Sequence, residues 1–189
     1  LYKEVNKLAK VFKDFGLKKG DRVAVYLPVI PELPITLLAT ARVGGIHTVV
    51  FSGFSADALA DRINNSGARI LVTADGSYRR GKTVAIKDSA DRALQATPSV
   101  EKVIVVKRTG QEIAMKEGRD FWFHEALDKA GANAYVEPER MEATDPLFIL
   151  YTSGTTGKPK GVQHGIGGYL VWAYWTLRWG FNPTEEDIW

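Results

Sequence analysis

A stretch near the end of the chain concentrates the residue types that bind phosphate groups. It spans residues 151–162 and reads Tyr-Thr-Ser-Gly-Thr-Thr-Gly-Lys-Pro-Lys-Gly-Val. Glycines allow a close backbone approach to a ligand, while hydroxyl and ammonium groups supply hydrogen-bond donors. No Asp or Glu occurs between Pro146 and Thr184, so no neighbouring carboxylate in the sequence balances the lysines. The pattern predicts a polyphosphate-binding loop formed by Thr152, Ser153, Gly154, Thr155, Thr156, Gly157, Lys158, Lys160 and Gly161.

Two other interpretations of this stretch are available. It could be a flexible Gly/Thr turn between a strand and a helix. It could also be a Walker A loop, G-x-x-x-x-G-K-[ST], but the spacing does not fit. If Gly154 were the first glycine, the second would fall on Pro159, and the pair Gly157–Lys158 is followed by Pro159, not by Ser or Thr. The loop is therefore a phosphate loop of another kind.

A second cluster of cations lies in the sequence Ser-Tyr-Arg-Arg-Gly-Lys at residues 77–82. Arg79, Arg80 and Lys82 surround Gly81 in a compact turn that follows a predicted strand. From the residues alone, the cluster is either an anion-binding turn or a solvated run of charge.

The remaining reactive residue types are sparse. The sequence contains no Cys, which excludes disulfides, thiolate metal sites and cysteine nucleophiles. His47, His124 and His164 lack metal-ligand spacing, so we predict no metal site and a structural role for each, although His164 could also shape the loop. Tryptophans at residues 172, 175 and 179 recur at helical spacing, which predicts core packing.

Composition places the chain among globular proteins. Its 189 residues include 25 Lys+Arg and 22 Asp+Glu, for a net charge of +3, and 45% are hydrophobic. That excess is too small to indicate nucleic-acid binding. Lys3, Glu4 and Lys7 interrupt any signal-peptide pattern, and the apolar stretch from Ile166 to Phe181 is shorter than the roughly 20 residues of a membrane span. We therefore expect a cytoplasmic protein with neither nucleic-acid nor membrane partners.

Alternating strand and helix patterns are expected to position these residues. Such alternation predicts an α/β fold with a mainly parallel sheet, although the region from Thr109 to Thr144 could be an excursion away from it. Ser55 is a predicted helix N-cap. The predicted strands are 22–27, 47–51, 69–73, 100–106 and 146–152, and the predicted helices are a first segment closed by Gly16, a proline-bounded helix ending at Gly44–Gly45, a helix after Ser55, and helices at 84–94, 125–130 and 167–179.

The loop at residues 151–162 resembles the signature loop of the adenylate-forming superfamily, which includes acyl-CoA synthetases, luciferases and peptide-synthetase adenylation domains. Three further stretches, 41–63, 75–87 and 164–173, resemble one branch, the AMP-forming acetyl-CoA synthetases and their propionyl relatives. The resemblance implies that residues 1–189 are part of the large N-terminal, AMP-binding domain. It also implies that the small C-terminal domain lies outside this chain, so we expect the fragment alone to be inactive.

The resemblance implies an acetate–CoA ligase reaction in two steps. A carboxylate attacks the α-phosphate of Mg-ATP, and the thiol of CoA then attacks the acyl-adenylate and releases AMP. The ATP phosphates would be enclosed by residues 152–158 and Lys160. The catalytic residues would be Thr152 and Lys160, and Lys160 would neutralise phosphate charge. The CoA site would comprise Phe51, Gly53, Arg79, Arg80, Gly81 and Lys82, where Lys82 replaces an arginine of the family's turn and Ser52 stands where glycine is common.

The resemblance leaves two alternatives. Another adenylate-forming ligase, acting on propionyl, longer acyl or aryl acids, would share the phosphate loop. The isolated fragment could instead be a non-catalytic nucleotide-binding module.

Overall fold

The computed structural model describes residues 1–152 and 159–188, and it has an α/β architecture. Its helices are α1 Tyr2–Asp14, α2 Glu32–Arg42, α3 Ala56–Ser66, α4 Ile86–Leu94, α5 Phe123–Ala130 and α6 Ile166–Thr176, the last followed by a π-helical turn at Leu177–Phe181. Its strands are β1 Arg22–Tyr26, β2 Ile46–Val49, β3 Ile70–Ala74, β4 Ser77–Arg79, β5 Lys82–Val84, β6 Lys102–Val106, β7 Asp120–Trp122, β8 Pro146–Thr152 and β9 Lys160–Gly165.

The main sheet has seven strands in the order β7-β6-β3-β1-β2-β8-β9 among the described residues. Every neighbouring pair is parallel except β8 and β9, which are antiparallel. The strands β4 and β5 form a separate antiparallel hairpin. The expected mainly parallel α/β sheet is thus confirmed.

Helices cover both faces of the central strands. Val23 and Val25 of β1 face a core that also contains residues of α1, α2 and α5. Ala24 and Tyr26 point to the other face, against residues of α3 and α4. Side chains alternate between the two faces of a strand, so burial on both faces explains the almost uniformly apolar sequences of β1, β3 and β6.

Local signals fix the boundaries of α3. The Ser55 hydroxyl accepts a hydrogen bond from the Ala58 N–H at 3.2 Å, which satisfies one of the free donors of the first turn. Gly67 ends the helix in the left-handed region, with φ of 62°. Ser55 therefore acts as the predicted N-cap.

Several predicted elements differ from the structure. Val84 belongs to β5 and not to the following helix, which begins at Ile86. Residues 160–165 form β9, whereas the sequence predicted that the loop leads directly to a helix. The region from Thr109 to Thr144 is not entirely an excursion, because β7 pairs with β6 in the sheet. The missed strands β5 and β7 have three residues each, whereas β9 has six. In each case the pairing partner, not the segment's own sequence pattern, makes it a strand.

The helix α6 also corrects a prediction about the core. Trp172, Trp175 and Trp179 were expected to be buried, but their exposed fractions are 75%, 41% and 76%. No residue of α6 is buried in the described structure. Helical spacing alone did not identify a buried face because α6 is apolar on nearly every side. Within the described residues, no helix is long and apolar enough to cross a membrane.

Candidate functional site

Two hairpins lie at the carboxyl edge of the parallel strands, where α/β sheets commonly bind ligands. The first hairpin is formed by β4 and β5, immediately after β3. The second is formed by β8 and β9, which flank residues 153–158. The two cation-containing stretches of the sequence are therefore on the same edge of the fold.

The β4–β5 hairpin places the predicted basic turn at its tip. Arg79 and Lys82 are directly opposite each other in the strand register. Arg80 and Gly81 connect the strands with φ values of 50° and 74°, and positive φ at both central residues is the requirement of a type I′ turn. The backbone thus presents three cations within four consecutive residues.

The charge of this hairpin is not neutralised by neighbouring carboxylates. Arg79, Arg80 and Lys82 are exposed, and none forms an ion pair within the part of the chain that the structure describes. Like charges directly opposite on paired strands are destabilising. A bound anion would relieve that repulsion between Arg79 and Lys82.

A cleft of about 240 Å³ opens beside the hairpin. It brings together Phe51, Gly53 and Arg79, which the family resemblance assigned to one site. Arg80, Gly81 and Lys82 lie at and after the tip of the hairpin and are not among the residues that line the cleft. The lining residues are Leu27, Pro28, Val29, Phe51, Ser52, Gly53, Ser77, Tyr78, Arg79, Val84 and Ile86.

Two aromatic residues, Phe51 and Tyr78, line the cleft together with aliphatic side chains. Phe51 is 59% exposed and packs edge-on against Phe54, with ring centroids 5.7 Å apart. Tyr78 is a lining residue that the sequence analysis did not single out, and the guanidinium of Arg108 lies 5.8 Å from its ring centroid. The sequence signal that could have identified Tyr78 is an aromatic residue directly before the basic turn. Arg108 is distant in sequence and offered none.

The second hairpin carries the ends of the predicted phosphate loop. Thr152 and Lys160 are opposite each other in the β8–β9 register, and both are exposed. Part of the predicted loop lies outside the described residues, namely Ser153, Gly154, Thr155, Thr156, Gly157 and Lys158. The described geometry therefore places only Thr152 and Lys160, side by side at the end of the strands.

Tyr151 anchors the stem of this hairpin to α3. Its hydroxyl donates to Asn65 Oδ1 at 2.6 Å, and burial raises the pKa of its phenol. A Cβ on Gly161 would lie 3.1 Å from the Tyr151 ring, so the glycine permits the close contact across the strands. The guanidinium of Arg62 lies 5.4 Å from the Tyr151 ring centroid and 4.7 Å from that of Phe54.

Arg62 therefore contacts Phe54, which packs against Phe51 of the cleft, and Tyr151 of the second hairpin. The sequence analysis did not identify this residue. It is 8% exposed, although an arginine in an amphipathic helix is usually assigned to the solvent face. Its Nη1 donates to the Ala58 carbonyl at 2.6 Å. Phe54 precedes α3, but Tyr151 lies in β8, so no local pattern indicated that Arg62 would contact both.

Two of the three histidines stack on Phe148 across the neighbouring strands β2, β8 and β9. The Phe148 ring centroid is 5.4 Å from that of His47 and 4.5 Å from that of His164. Burial lowers the pKa of His47 to about 4. His124 is exposed on α5. Among residues 1–152 and 159–188, no group of three or more His, Cys, Asp or Glu could hold a metal ion.

The fold and these two hairpins define an α/β protein with two exposed, lysine- or arginine-bearing hairpins at the carboxyl edge of its sheet. The profile of the AMP-binding enzyme family matches residues 1–189, and the chain belongs to this family. The resemblance that the sequence motifs indicated is confirmed at that level.

Comparisons with individual proteins show which enzymes of the family the chain is similar to. The chain is 55% identical to an acetyl-coenzyme A synthetase of Pyrobaculum arsenaticum over 190 aligned positions, covering 100% of the chain and 28% of that relative. It is 53% identical to a 3-hydroxypropionyl-coenzyme A synthetase of Sulfurisphaera tokodaii, covering 99% of the chain and 28% of the relative. The structure resembles an acetoacetyl-CoA synthetase from Streptomyces lividans with a TM-score of 0.87 and 32% identity, over 98% of this chain and 28% of that one. The chain thus spans 28% of the length of these proteins.

Proposed function

We propose that this chain is part of an AMP-forming acetate–CoA ligase, within its large N-terminal domain. The observation that carries the proposal is the placement of two exposed cationic hairpins on one edge of the sheet, one beside an aromatic cleft. Such a reaction needs two phosphate-bearing substrates, a nucleoside triphosphate and CoA, to bind near each other. The 55% identity to an acetyl-coenzyme A synthetase supports acetate as the acid.

In the first half-reaction, acetate attacks the α-phosphate of ATP, forming acetyl-adenylate and releasing pyrophosphate. Lys160 and Thr152, with residues 153–158, would hold the β- and γ-phosphates as the leaving group departs. Their contribution is positioning and charge stabilisation without a covalent intermediate on the protein. Mg²⁺ would enter as Mg-ATP, because phosphate oxygens are preferred ligands of this ion.

In the second half-reaction, the CoA thiol attacks the acyl carbon, and AMP leaves. Phe51 and Gly53 would contact the adenine of CoA. Arg79, Arg80, Gly81 and Lys82 would bind its phosphates. The lysine at position 82 keeps the charge but makes fewer directed hydrogen bonds than an arginine would. These substrates support a cytoplasmic location.

Pyrophosphate exchange tests the proposal directly. The full-length protein is incubated with ATP, radiolabelled pyrophosphate and either acetate, propionate, 3-hydroxypropionate or benzoate. We expect acetate to support the fastest incorporation of label into ATP. Faster exchange with 3-hydroxypropionate would assign the protein to the acid named in the Sulfurisphaera tokodaii relative. Nucleotide binding without exchange for any acid would favour a non-catalytic nucleotide-binding module.

The same assay tests whether residues 1–189 suffice for the reaction. We propose that they do not, because the chain spans 28% of the length of its relatives. The purified chain should form no acetyl-CoA under conditions in which the full-length protein does. Thioester formation by the chain alone would contradict this proposal.

A further inference from the structure

A buried carboxylate lies at the base of the β4–β5 hairpin. Asp75 directly follows β3 and is 0% exposed. Its Oδ1 accepts hydrogen bonds from the backbone N–H groups of Gly76 at 2.6 Å and Arg108 at 2.8 Å. Thr109 donates its backbone N–H to both carboxylate oxygens, at 3.0 and 3.1 Å, and Gly110 donates to Oδ2 at 2.7 Å. The carboxylate therefore connects the end of β3 to the loop that follows β6.

A backbone hydrogen bond of Asp75 joins the two ends of the segment that contains the β4–β5 hairpin. Its carbonyl accepts from the Lys87 N–H at 3.3 Å, so residues 76–86 begin and end beside the same residue. The same carbonyl accepts from Gln111 Nε2 at 2.6 Å. Its own N–H donates to the Val106 carbonyl at 2.9 Å, which continues the pairing of β3 with β6.

Packing at this base leaves little space. A Cβ on Gly76 would lie 2.7 Å from Thr109 Oγ1, 2.8 Å from Gln111 Nε2 and 3.0 Å from the Val84 carbonyl oxygen. The glycine therefore allows the hairpin to approach the 108–111 loop closely. Charge agrees with this arrangement. Burial raises the pKa of Asp75, but the hydrogen bonds from the backbone donors, of which Thr109 contributes most, together lower it by more. The net shift of the pKa is therefore downward and favours the carboxylate.

The two segments joined at this base carry Arg79, which lines the cleft, and two further cations, Lys82 and Arg108. The hairpin carries Arg79 and Lys82, while Arg108 projects from the clamped loop towards Tyr78 on the hairpin. We propose that Asp75 is a positioning residue for CoA, which fixes the hairpin and the Arg108 loop relative to each other so that their cations converge on the phosphates of CoA. The inference rests on the proposed function. It assigns Asp75 no contact with substrate, and it adds Arg108 to the phosphate-binding cations.

The substitution Asp75→Asn in the full-length protein tests the inference. It keeps the size of the side chain, but it removes the charge and replaces one acceptor with an N–H₂ group that faces other donors. We expect the KM for CoA, and the dissociation constant of CoA in calorimetry, to rise about tenfold, or ~1.4 kcal/mol. Acetate-dependent pyrophosphate exchange should stay within about twofold of wild type, since a change that leaves this step alone shifts its free energy by under ~0.5 kcal/mol. Hydrogen exchange of the amides at residues 77–84 should accelerate.

Asp21→Asn is the matched control. Asp21 also accepts a backbone N–H, from Lys18 at 2.9 Å, and it pairs with Arg69, but it precedes β1 at the opposite edge of the sheet. Its substitution should alter the free energy of unfolding. It should change neither the affinity for CoA nor the hydrogen exchange of the amides at residues 77–84. If Asp75→Asn fails to fold, Gln111→Ala removes only the bond to the Asp75 carbonyl and should raise the KM for CoA about threefold, or ~0.6 kcal/mol.

The outcomes separate this inference from the proposed function. Unchanged CoA binding in folded Asp75→Asn, or an equal loss of both half-reactions, would overturn the positioning role. Likewise, unchanged CoA binding in Gln111→Ala, when Asp75→Asn does not fold, would overturn it. A wild-type protein that binds CoA but shows no acid-dependent pyrophosphate exchange would refute the ligase, while the effect of Asp75→Asn on CoA binding would still decide the inference. A wild-type protein that does not bind CoA would refute both.

Discussion

The two hairpins at the carboxyl edge are attached to the fold in different ways. The β4–β5 hairpin is outside the main sheet, and hydrogen bonds to one buried residue, Asp75, close its base. The β8–β9 hairpin is continuous with the sheet, because β8 pairs with β2 through His47–Phe148 and Thr48–Ile149. The first depends on polar contacts at one point, and the second depends on strand pairing and side-chain packing.

This difference implies that the two proposed half-reactions can be perturbed separately. Changes on the β4–β5 hairpin should affect CoA, and changes on the β8–β9 hairpin should affect ATP. Arg62 contacts aromatic residues from both surroundings, so the separation need not be complete. Substitutions that act on one hairpin at a time measure how complete it is.

The largest expected effect is that of Lys160→Ala in the full-length protein. Loss of a charge-assisted contact to phosphate should cost about 1.5–3 kcal/mol, or about 10- to 150-fold in pyrophosphate exchange. Thermal stability should hardly change, because Lys160 is exposed. Lys3→Ala, which removes an exposed lysine of α1, is the control. Wild-type exchange in Lys160→Ala would remove Lys160 from the phosphate site.

The double substitution Arg79→Ala, Lys82→Ala should produce the reciprocal result. The KM for CoA should rise by about one to two decades, if each lost phosphate contact is worth ~1–1.5 kcal/mol, while pyrophosphate exchange stays near wild type. The remaining binding should depend less on salt, since exposed charges are screened within about 10 Å at 0.1 M salt. Thr83→Ala, on the same hairpin, removes no charge and serves as the control.

Two results would contradict that assignment. An unchanged dependence on CoA would mean that the turn is a solvated run of charge. An equal loss in both half-reactions would indicate misfolding or a role on the ATP side.

How far the sequence could predict this structure depends on the range of the interactions. The bounds of β8 and the cap at Ser55 were predicted because apolar runs and capping residues are local signals. The strands β7 and β9 were missed because each is specified by a partner strand. Within the candidate site, glycine, hydroxyl and lysine spacing predicted a phosphate loop, which stays a prediction because residues 153–158 lie outside the described residues. The structural roles of Asp75, Arg62 and Arg108 arise from contacts between segments distant in sequence, which no local pattern encodes.

A smaller effect is expected from pH at the join between β2 and β8. The folded-state pKa of His47 is lowered from 6.5 to about 4, so between these values the unfolded chain holds a proton that folded His47 does not. Stability should therefore fall as the pH decreases from 6.5 to 4. Because the ring has partial access to solvent, we expect His47 to lower the free energy of unfolding by only about 1–2 kcal/mol over this pH range.

Urea unfolding as a function of pH checks this expectation. His47→Phe keeps an aromatic ring beside Phe148 and should flatten the profile between pH 6.5 and 4. His124→Gln, which removes an exposed imidazole, should retain the wild-type profile. An unaltered slope in His47→Phe would mean that other groups cause the acid sensitivity.

The smallest expected effect concerns the anchor of the second hairpin. Tyr151→Phe removes the hydroxyl that donates to Asn65 but keeps the ring beside Arg62 and Gly161. Loss of one hydrogen bond should cost about 0.5–1.5 kcal/mol, and it should act locally on the stem of β8–β9. Amides of residues 160–165 should then exchange up to about tenfold faster, since ~1.4 kcal/mol corresponds to one decade. Amides of residues 77–84 and the KM for CoA should not change, because the β4–β5 hairpin is attached through Asp75. Tyr174→Phe, on the exposed face of α6, is the matched control. Faster exchange in both hairpins of Tyr151→Phe would show that they are coupled through Arg62, and the separation between the two half-reactions would then be wrong.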